Sequence, residues 1–199
     1  MQKTVPLIHG NYYHIYNCGI NGEVLFRENS NDEYFLMLYD KHVTPVADTF
    51  AWCLMGNHFH LLVRIKEGNE MAALENPKPP HQNFSNLFNA YTQAFNKMYS
   101  RHGALFERPF KRKPIGNECY FRQVVVYIHQ NPVHHGFCEH PGEYGWSSYN
   151  TCISDKPTRL KRSVVLDWFG KKDRFTLLHQ ERINLMKLEE YLEIEPHYS

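Results

Sequence analysis

Four segments of the chain alternate between apolar and polar residues as β-strands do. Residues 12–17 are aromatic and β-prone, and a Gly-rich turn follows them. Residues 46–55 and 58–66 are joined by a two-residue Gly-Asn connection, which is typical of tight hairpins. A fourth strand is predicted over 110–115. Together these segments predict an antiparallel sheet.

Two segments between these strands carry apolar residues at helical spacing. Asn31 and Asp32 can cap a helix that runs through EYFLMLYDKH. A second helix is predicted over 84–102, after a polar loop, and Gly103 is expected to stop it. The residues predicted to face the core are Tyr34, Phe35 and Leu38 in the first helix and Leu87, Tyr91, Phe95 and Met98 in the second.

The element order β-α-β-β-α-β predicts an α+β fold, a ferredoxin-like or RNA-recognition-like sandwich. We expect helices on one face of the sheet and a free opposite face. With 199 residues, of which 42% are hydrophobic, the chain can bury one good core. The sequence therefore predicts one domain over residues 1–150 and a helical extension over 151–199.

The stretch GNHFHLLVRI, residues 56–65, places His58 and His60 on one face of the predicted third strand. Two imidazoles two positions apart on one face can share a divalent metal ion. A pair of histidines on a half-exposed sheet face explains the pattern without any metal. A third ligand would have to come from another part of the chain.

The segment NECYFRQVVVYIHQNP, residues 117–132, is predicted as either a helix or a strand, because Val124, Val125 and Val126 favour a strand. If it is a helix, Asn117 caps it and Pro132 marks its end. Tyr127 and Asn131 then lie one turn apart on the same face. A core tyrosine and a terminal asparagine would explain the segment equally well.

Composition and charge narrow the function classes only slightly. The formal net charge is +1, so any basic surface for nucleic acid must be local. The five cysteines contain no CxxC pair, which argues against a disulfide framework or a zinc ribbon and favours the reducing cytoplasm. No apolar run approaches the roughly 18 residues that a membrane span needs, and no export signal is evident.

Three motifs resemble those of one enzyme family. GNHFHLLV is similar to the histidine-hydrophobe-histidine motif of single-tyrosine HUH transposases, and YIHQNPVHHGF resembles the tyrosine segment of their REP-associated branch. EYGWSSYN, residues 143–150, is similar to the Trp-Ser-Ser-Tyr segment of that branch. In the family, Pro often stands at the position of Gly56 and Arg at the position of Cys18. The cysteine lacks the charged side chain with which such an arginine could contact DNA.

The resemblance implies a metal-dependent endonuclease and strand transferase that acts on single-stranded DNA, at hairpin-forming repeats or insertion-sequence ends. It implies that Tyr127 is the nucleophile of a covalent 5′-phosphotyrosine intermediate, and that His58, His60 and Asn131 hold the metal. Mg²⁺ or Mn²⁺ suits such a site, although two imidazoles also accept Zn²⁺. Relatives are commonly dimers, so a homodimer is also considered. His129 and His134 are candidates to assist the tyrosine, which needs help to ionise at neutral pH.

A basic run supplies the candidate DNA contacts, which are Arg108, Lys111, Arg112 and Lys113. On a regular strand Lys111 and Lys113 share one side while Arg112 faces the other. An edge strand protected by lysines would account for the run equally well.

Other functions remain open at this stage. A non-catalytic module could hold single strands on the same fold, and it would tolerate loss of Tyr127. A hydrolase of small phosphoesters would form no protein adduct. A nickase that processes repeats without moving itself would share the whole site.

The last segment, 176–195, is predicted as a helix with Leu178, Ile183, Met186 and Leu188 partly on one side. It is expected to pack on the core, bind a hairpin or mediate dimerisation.

Overall fold

The sheet has four antiparallel strands in the order β2-β3-β1-β4. A computed structural model describes residues 5–71 and 78–180 together with residues 188, 190 and 192. The strands are β1 (Tyr12–Cys18), β2 (Ala47–Met55), β3 (His58–Ile65) and β4 (Lys111–Ile115). Helix α1 (Asn29–His42) joins β1 to β2, and α2 (Pro80–Met98) lies between β3 and β4. The predicted α+β order and the ferredoxin-like fold class are confirmed.

Helices α1 and α2 cover one face of this sheet and form the first core. Ile15 of β1, Phe59 of β3, Phe35 of α1 and Tyr91 of α2 are all fully or almost fully buried in it. The Tyr91 hydroxyl donates to the carbonyl of Leu25 at 2.6 Å, which satisfies its one polar group. Aromatic packing therefore holds both helices against β1 and β3.

Two residues predicted to face this core lie at the surface instead. Tyr34 is 38% exposed and Met98 is 56% exposed. Helix α2 ends at Met98, short of Gly103, and Ser100 adopts a positive φ of 52° just after it. The Arg27 guanidinium stacks over the rings of Phe95 and Tyr99 near the end of this helix.

The opposite face of the sheet, which was predicted to be free, is largely covered by helix α3 (Glu118–His134). Ala51 and Cys53 of β2, Leu62 of β3 and Val125 of α3 belong to a second buried apolar cluster. Apolar residues on this face of β2 and β3 need cover from water, which explains why a further layer packs there. The prediction of a free face was wrong over β2 and β3.

The segment that was predicted as helix or strand is α3. Val124, Val125 and Val126 are all buried, so packing on two sides overrides their preference for strands. Pro132 does not end the helix but lies inside its last turn. The helix stops at His134, and Gly136 follows with a φ of 72° that favours glycine.

The Trp-Ser-Ser segment pairs with the outer edge of β2. The amide of Leu54 donates to the carbonyl of Trp146 at 2.9 Å, and the amide of Ser148 donates to the carbonyl of Trp52 at 2.9 Å. Helix α4 (Tyr149–Ile153) begins directly after it. The segment therefore covers polar groups that an edge strand would otherwise expose.

Helices α5 (Arg162–Phe169) and α6 (Lys172–Leu178) complete the second layer. Val165, Phe169 and Phe175 from these two helices share the apolar cluster of α3, as do Leu188 and Leu192. The predicted helix over 176–195 overlaps the end of α6, and residues 188, 190 and 192 within it are also helical, while Ile183 and Met186 lie outside the described residues. The division of the chain at residue 150 stays a prediction. No helix within the described ranges is both long and apolar enough to cross a membrane.

Candidate active site

The two histidines of the HxH motif open strand β3, directly after the β2–β3 turn. His58 and His60 both point into the layer below α3, and both are buried. The His58 Nδ1 atom lies 2.7 Å from Asn57 Oδ1, and an amide oxygen only accepts, so Nδ1 carries the proton. The His58 Nε2 atom then carries the lone pair that a metal would need.

Helix α3 brings Tyr127 and Asn131 to the same place. The Asn131 amide nitrogen donates to the Tyr127 carbonyl at 3.1 Å, and the Asn131 side chain lies close enough to His58 to influence its pKa. The ring of Tyr127 lies edge-on to the ring of His60, with 5.4 Å between their centroids. The four residues that the family resemblance implied therefore meet in one cluster, although they come from two distant segments.

His14 on β1 is part of this cluster and was not singled out from the sequence. Its Nε2 atom lies 3.0 Å from Nδ1 of His60, and the two rings stack with centroids 5.1 Å apart. His135 lies one turn after Asn131, with its ring 5.1 Å from that of His58. The spacing of 131 and 135 was a usable signal for His135. The role of His14 depends on the pairing of β1 with β3, which no local pattern specifies.

Burial keeps these imidazoles neutral at physiological pH. Desolvation lowers the pKa of His14 to about 3 and is the main cause that lowers the pKa of His58 to about 4. The pKa of His60 also falls well below its ordinary value, first by desolvation and then by the neighbouring histidines. Neutral imidazole is the form that coordinates metal ions.

The donor set consists of two imidazoles and one amide oxygen. Within the described ranges, no group of three or more His, Cys, Asp or Glu is arranged to hold a metal ion. An Asn oxygen can complete the set, since the Asn131 amide nitrogen already donates to Tyr127 and its side chain reaches His58. A mixed nitrogen and oxygen set with open positions fits a divalent ion such as Mg²⁺ or Mn²⁺.

His129 does not point toward Tyr127, so its predicted role in assisting the tyrosine is wrong. Its Nε2 atom lies 2.7 Å from Ser148 Oγ, and its Nδ1 atom lies 2.9 Å from Nε2 of His179. The Nδ1 atom of His179 in turn lies 2.7 Å from the Phe175 carbonyl, which only accepts. Both nitrogens of His129 are thus committed to a buried chain that ties α3 to α6. His134 is exposed at the end of α3, where desolvation lowers its pKa, and its role in assisting the tyrosine stays a prediction.

The basic run divides between the two faces of the sheet, as strand alternation predicted. Lys111 pairs with Tyr16 and Lys113 pairs with His14, so both lysines lie on the histidine face. Arg112 pairs with Ile15 and lies on the α2 face, where its guanidinium stacks 4.2 Å from the centre of the Phe110 ring. Arg108 is exposed on that side too and donates to Asn89 Oδ1 at 3.2 Å.

Comparison with known proteins agrees with the motifs. No protein-family model matches the chain. A REP-associated tyrosine transposase of Haemophilus influenzae is 27% identical over 128 residues, which cover 63% of this chain and 69% of that protein. A solved structure of a REP-associated tyrosine transposase bound to a REP hairpin has a TM-score of 0.60 at 15% identity, over 79% of this chain and 88% of that one. The sequence match and the fold agree with the three motifs in making the chain similar to the REP-associated tyrosine transposases.

Proposed function

We propose that the chain is a metal-dependent endonuclease and strand transferase that acts on single-stranded DNA through Tyr127. The observation that carries this proposal is the meeting of Tyr127 with His58, His60 and Asn131 in one buried cluster. A core tyrosine would have no need of two imidazoles and an amide around it. The cluster joins a nucleophile to a set of metal donors, as transesterification of a phosphodiester requires.

His58, His60 and Asn131 would hold the metal, and Mg²⁺ or Mn²⁺ suits their donor atoms. A bound divalent ion would supply positive charge that polarises the scissile phosphodiester. His14 would hold the ring of His60 in place through the 3.0 Å contact between their nitrogens. Such a partner fixes the orientation of a ligand histidine and the nitrogen that it offers.

Tyr127 would attack the phosphorus of the scissile phosphodiester in line. The bond between phosphorus and the tyrosine oxygen forms while the bond to the 3′ oxygen breaks. The phenol releases its proton, and the 3′ oxygen takes one up to become a free hydroxyl. The other product is a 5′-phosphotyrosine, which a 3′-hydroxyl can later reverse without an external energy source. Because Tyr127 is only 3% exposed, we infer that DNA binding moves the side chains that cover it.

The proposed partner is single-stranded DNA that carries hairpin repeats. The chain shares its fold with a transposase that was solved bound to such a hairpin, and this supports the assignment. Lys111 and Lys113 lie on the face of Tyr127, where they would neutralise the backbone phosphates. Arg108 and Arg112 would meet the strand on the other side of β4. A homodimer and a cytoplasmic, DNA-associated location remain predictions.

The test is covalent capture of labelled single-stranded oligonucleotides with hairpins from the flanks of the chain's own gene. In Mn²⁺ we expect a band of protein joined to DNA that survives denaturation and disappears in EDTA. Tyr127→Phe should abolish the band, while Tyr120→Phe on the same helix should retain it. Tight binding with no adduct in any metal would overturn the enzyme and favour the non-catalytic module. Cleavage with no adduct would instead favour a hydrolase.

A further inference from the structure

A groove lies between α2 and the segment 105–112, on the face of the sheet that is turned away from Tyr127. Its volume is about 440 Å³, which falls within the range of small-ligand sites. Rings of Phe88, Phe106 and Phe110 contribute to its lining. These rings are largely buried and pack against one another at an angle, so they form a fixed apolar floor.

The guanidinium of Arg112 lies over one ring of this floor. The Arg112 guanidinium covers Phe110 at 4.2 Å, and its Nε atom is buried with no hydrogen-bond partner among the residues that the structure describes. Burial is also the main cause that lowers the pKa of Arg112. Arg112 as a whole is partly exposed, so its charged side chain can donate to a ligand in the groove that supplies acceptors.

A carboxylate and two amides line the same groove. Glu107 is held by its backbone, since its amide donates to the Cys18 carbonyl at 3.0 Å and its carbonyl accepts from Asn17 at 3.1 Å. Asn89 lines the groove from α2. Arg108 and Arg112 line the groove as well, so it offers hydrogen-bond donors and acceptors beside its aromatic rings. Such a combination suits a nucleobase, which is planar and carries both donors and acceptors on its edges.

We propose that this groove binds one unpaired guanine base of the single-stranded DNA substrate. Guanine offers two acceptors, O6 and N7, on one edge, and arginine pairs with them more commonly than with any other base edge. Its neighbouring edge carries the N1–H and N2–H₂ donors, which a carboxylate such as Glu107 can accept. No other base presents two adjacent acceptors beside two adjacent donors.

The position of the groove connects it to the proposed active site. Lys111 and Arg112 are neighbours on β4 and project from opposite faces of the sheet at its edge. A strand whose phosphates lie along Lys111 and Lys113 can thus cross the edge and place a base in the groove beside Arg112. The inference rests on the proposed function, because it assigns the guanine to the DNA that Tyr127 would cleave.

The experiment measures the binding of fluorescein-labelled 11-mers in EDTA. One probe is oligothymidine, and the others carry a single central dG, dA or dC. We expect the dG probe to bind about 5- to 150-fold more tightly than the others, as one bidentate arginine contact allows. Arg112→Lys and Glu107→Gln should each reduce this preference, whereas Arg174→Lys on the exposed side of α6 should leave it unchanged.

Modified bases test the same contacts on the wild-type chain. This test therefore does not depend on whether the variants fold. Replacing dG by 7-deaza-dG removes the N7 acceptor and should abolish most of the preference, and deoxyinosine removes the N2 donors. Equal affinity for all four central bases would overturn the inference. So would tight binding of free dGMP without any gain for the dG oligonucleotide.

The covalent capture assay separates this inference from the proposed function. Capture of DNA through Tyr127 without any guanine preference would support the proposed function and refute the guanine site. A preference for guanine without any adduct would support the guanine site and refute the strand-transferase function.

Discussion

Lowering the pH from 7 to 5 without divalent metal should strongly destabilise the folded chain. His14, His58 and His179 are buried, and the pKa values are about 3 for His14 and about 4 for His58 and His179. Desolvation is the first cause in each case. In the unfolded chain each pKa returns to about 6.5, so the unfolded state binds protons that the folded state rejects. The contribution of these neutral histidines to the free energy of unfolding is therefore fully present above the unfolded pKa. It is lost as the pH falls below about 6.5.

The size of this loss follows from proton linkage. Each histidine that stays neutral in the folded state contributes about 1.9 kcal/mol between pH 7 and pH 5, so three contribute about 6 kcal/mol. The pKa values of His60 and His129 are lowered in the same direction and add to it. The total free energy of unfolding of a domain is commonly about 5–15 kcal/mol. We therefore expect the metal-free chain to unfold, or nearly so, at about pH 5.

Urea unfolding at pH 7, 6 and 5 in EDTA, followed by circular dichroism and tryptophan fluorescence, measures this effect. The urea midpoint should fall steeply below pH 6.5 with little change in slope, since the same surface is exposed on unfolding. His102→Gln, an exposed control, should leave the pH dependence unchanged. A loss of less than about 2 kcal/mol, the contribution of a single histidine, would refute the reasoning.

Three further variants test separate parts of the structure. His14→Phe should weaken Mn²⁺ binding about 10- to 100-fold in calorimetric titration, because the ligand histidine loses the partner that orients it; unchanged affinity would contradict that role. Ser148→Ala should lower the free energy of unfolding by about 1–3 kcal/mol in urea, because it leaves two buried partners unpaired; a neutral result would mean that those partners find other contacts. Replacing Lys111 and Lys113 with Gln should reduce the slope of log K against log salt for single-stranded DNA by about 0.7 per residue; an unchanged slope would exclude both from the phosphate contacts.

Local patterns were sufficient to predict the four strands and the hairpin. Strand alternation placed His58 and His60 on one face and separated Lys111 from Arg112, and these side assignments agree with the sheet register. The family motifs indicated which tyrosine and asparagine to consider. These features depend on neighbours along the chain, which a sequence pattern records directly.

Features that depend on packing between distant segments could not be predicted in this way. Val124 to Val126 favour a strand locally, and only burial between β2 and the C-terminal helices makes a helix the stable choice. The cover that α3 places over the second face has the same origin. His14 lies in the site because β1 pairs with β3 in one register. His129 lies outside it, because Ser148 and His179 contact both of its ring nitrogens.

The most direct test of the central claim is to locate the covalent bond to DNA. After capture in Mn²⁺, the adduct is digested with nuclease and protease, and the peptides are sequenced by mass spectrometry. The account predicts a nucleotide joined through its 5′ phosphate to Tyr127 and a free 3′-hydroxyl on the released strand. A nucleotide on another residue, or cleavage that leaves every tyrosine unmodified, would contradict it.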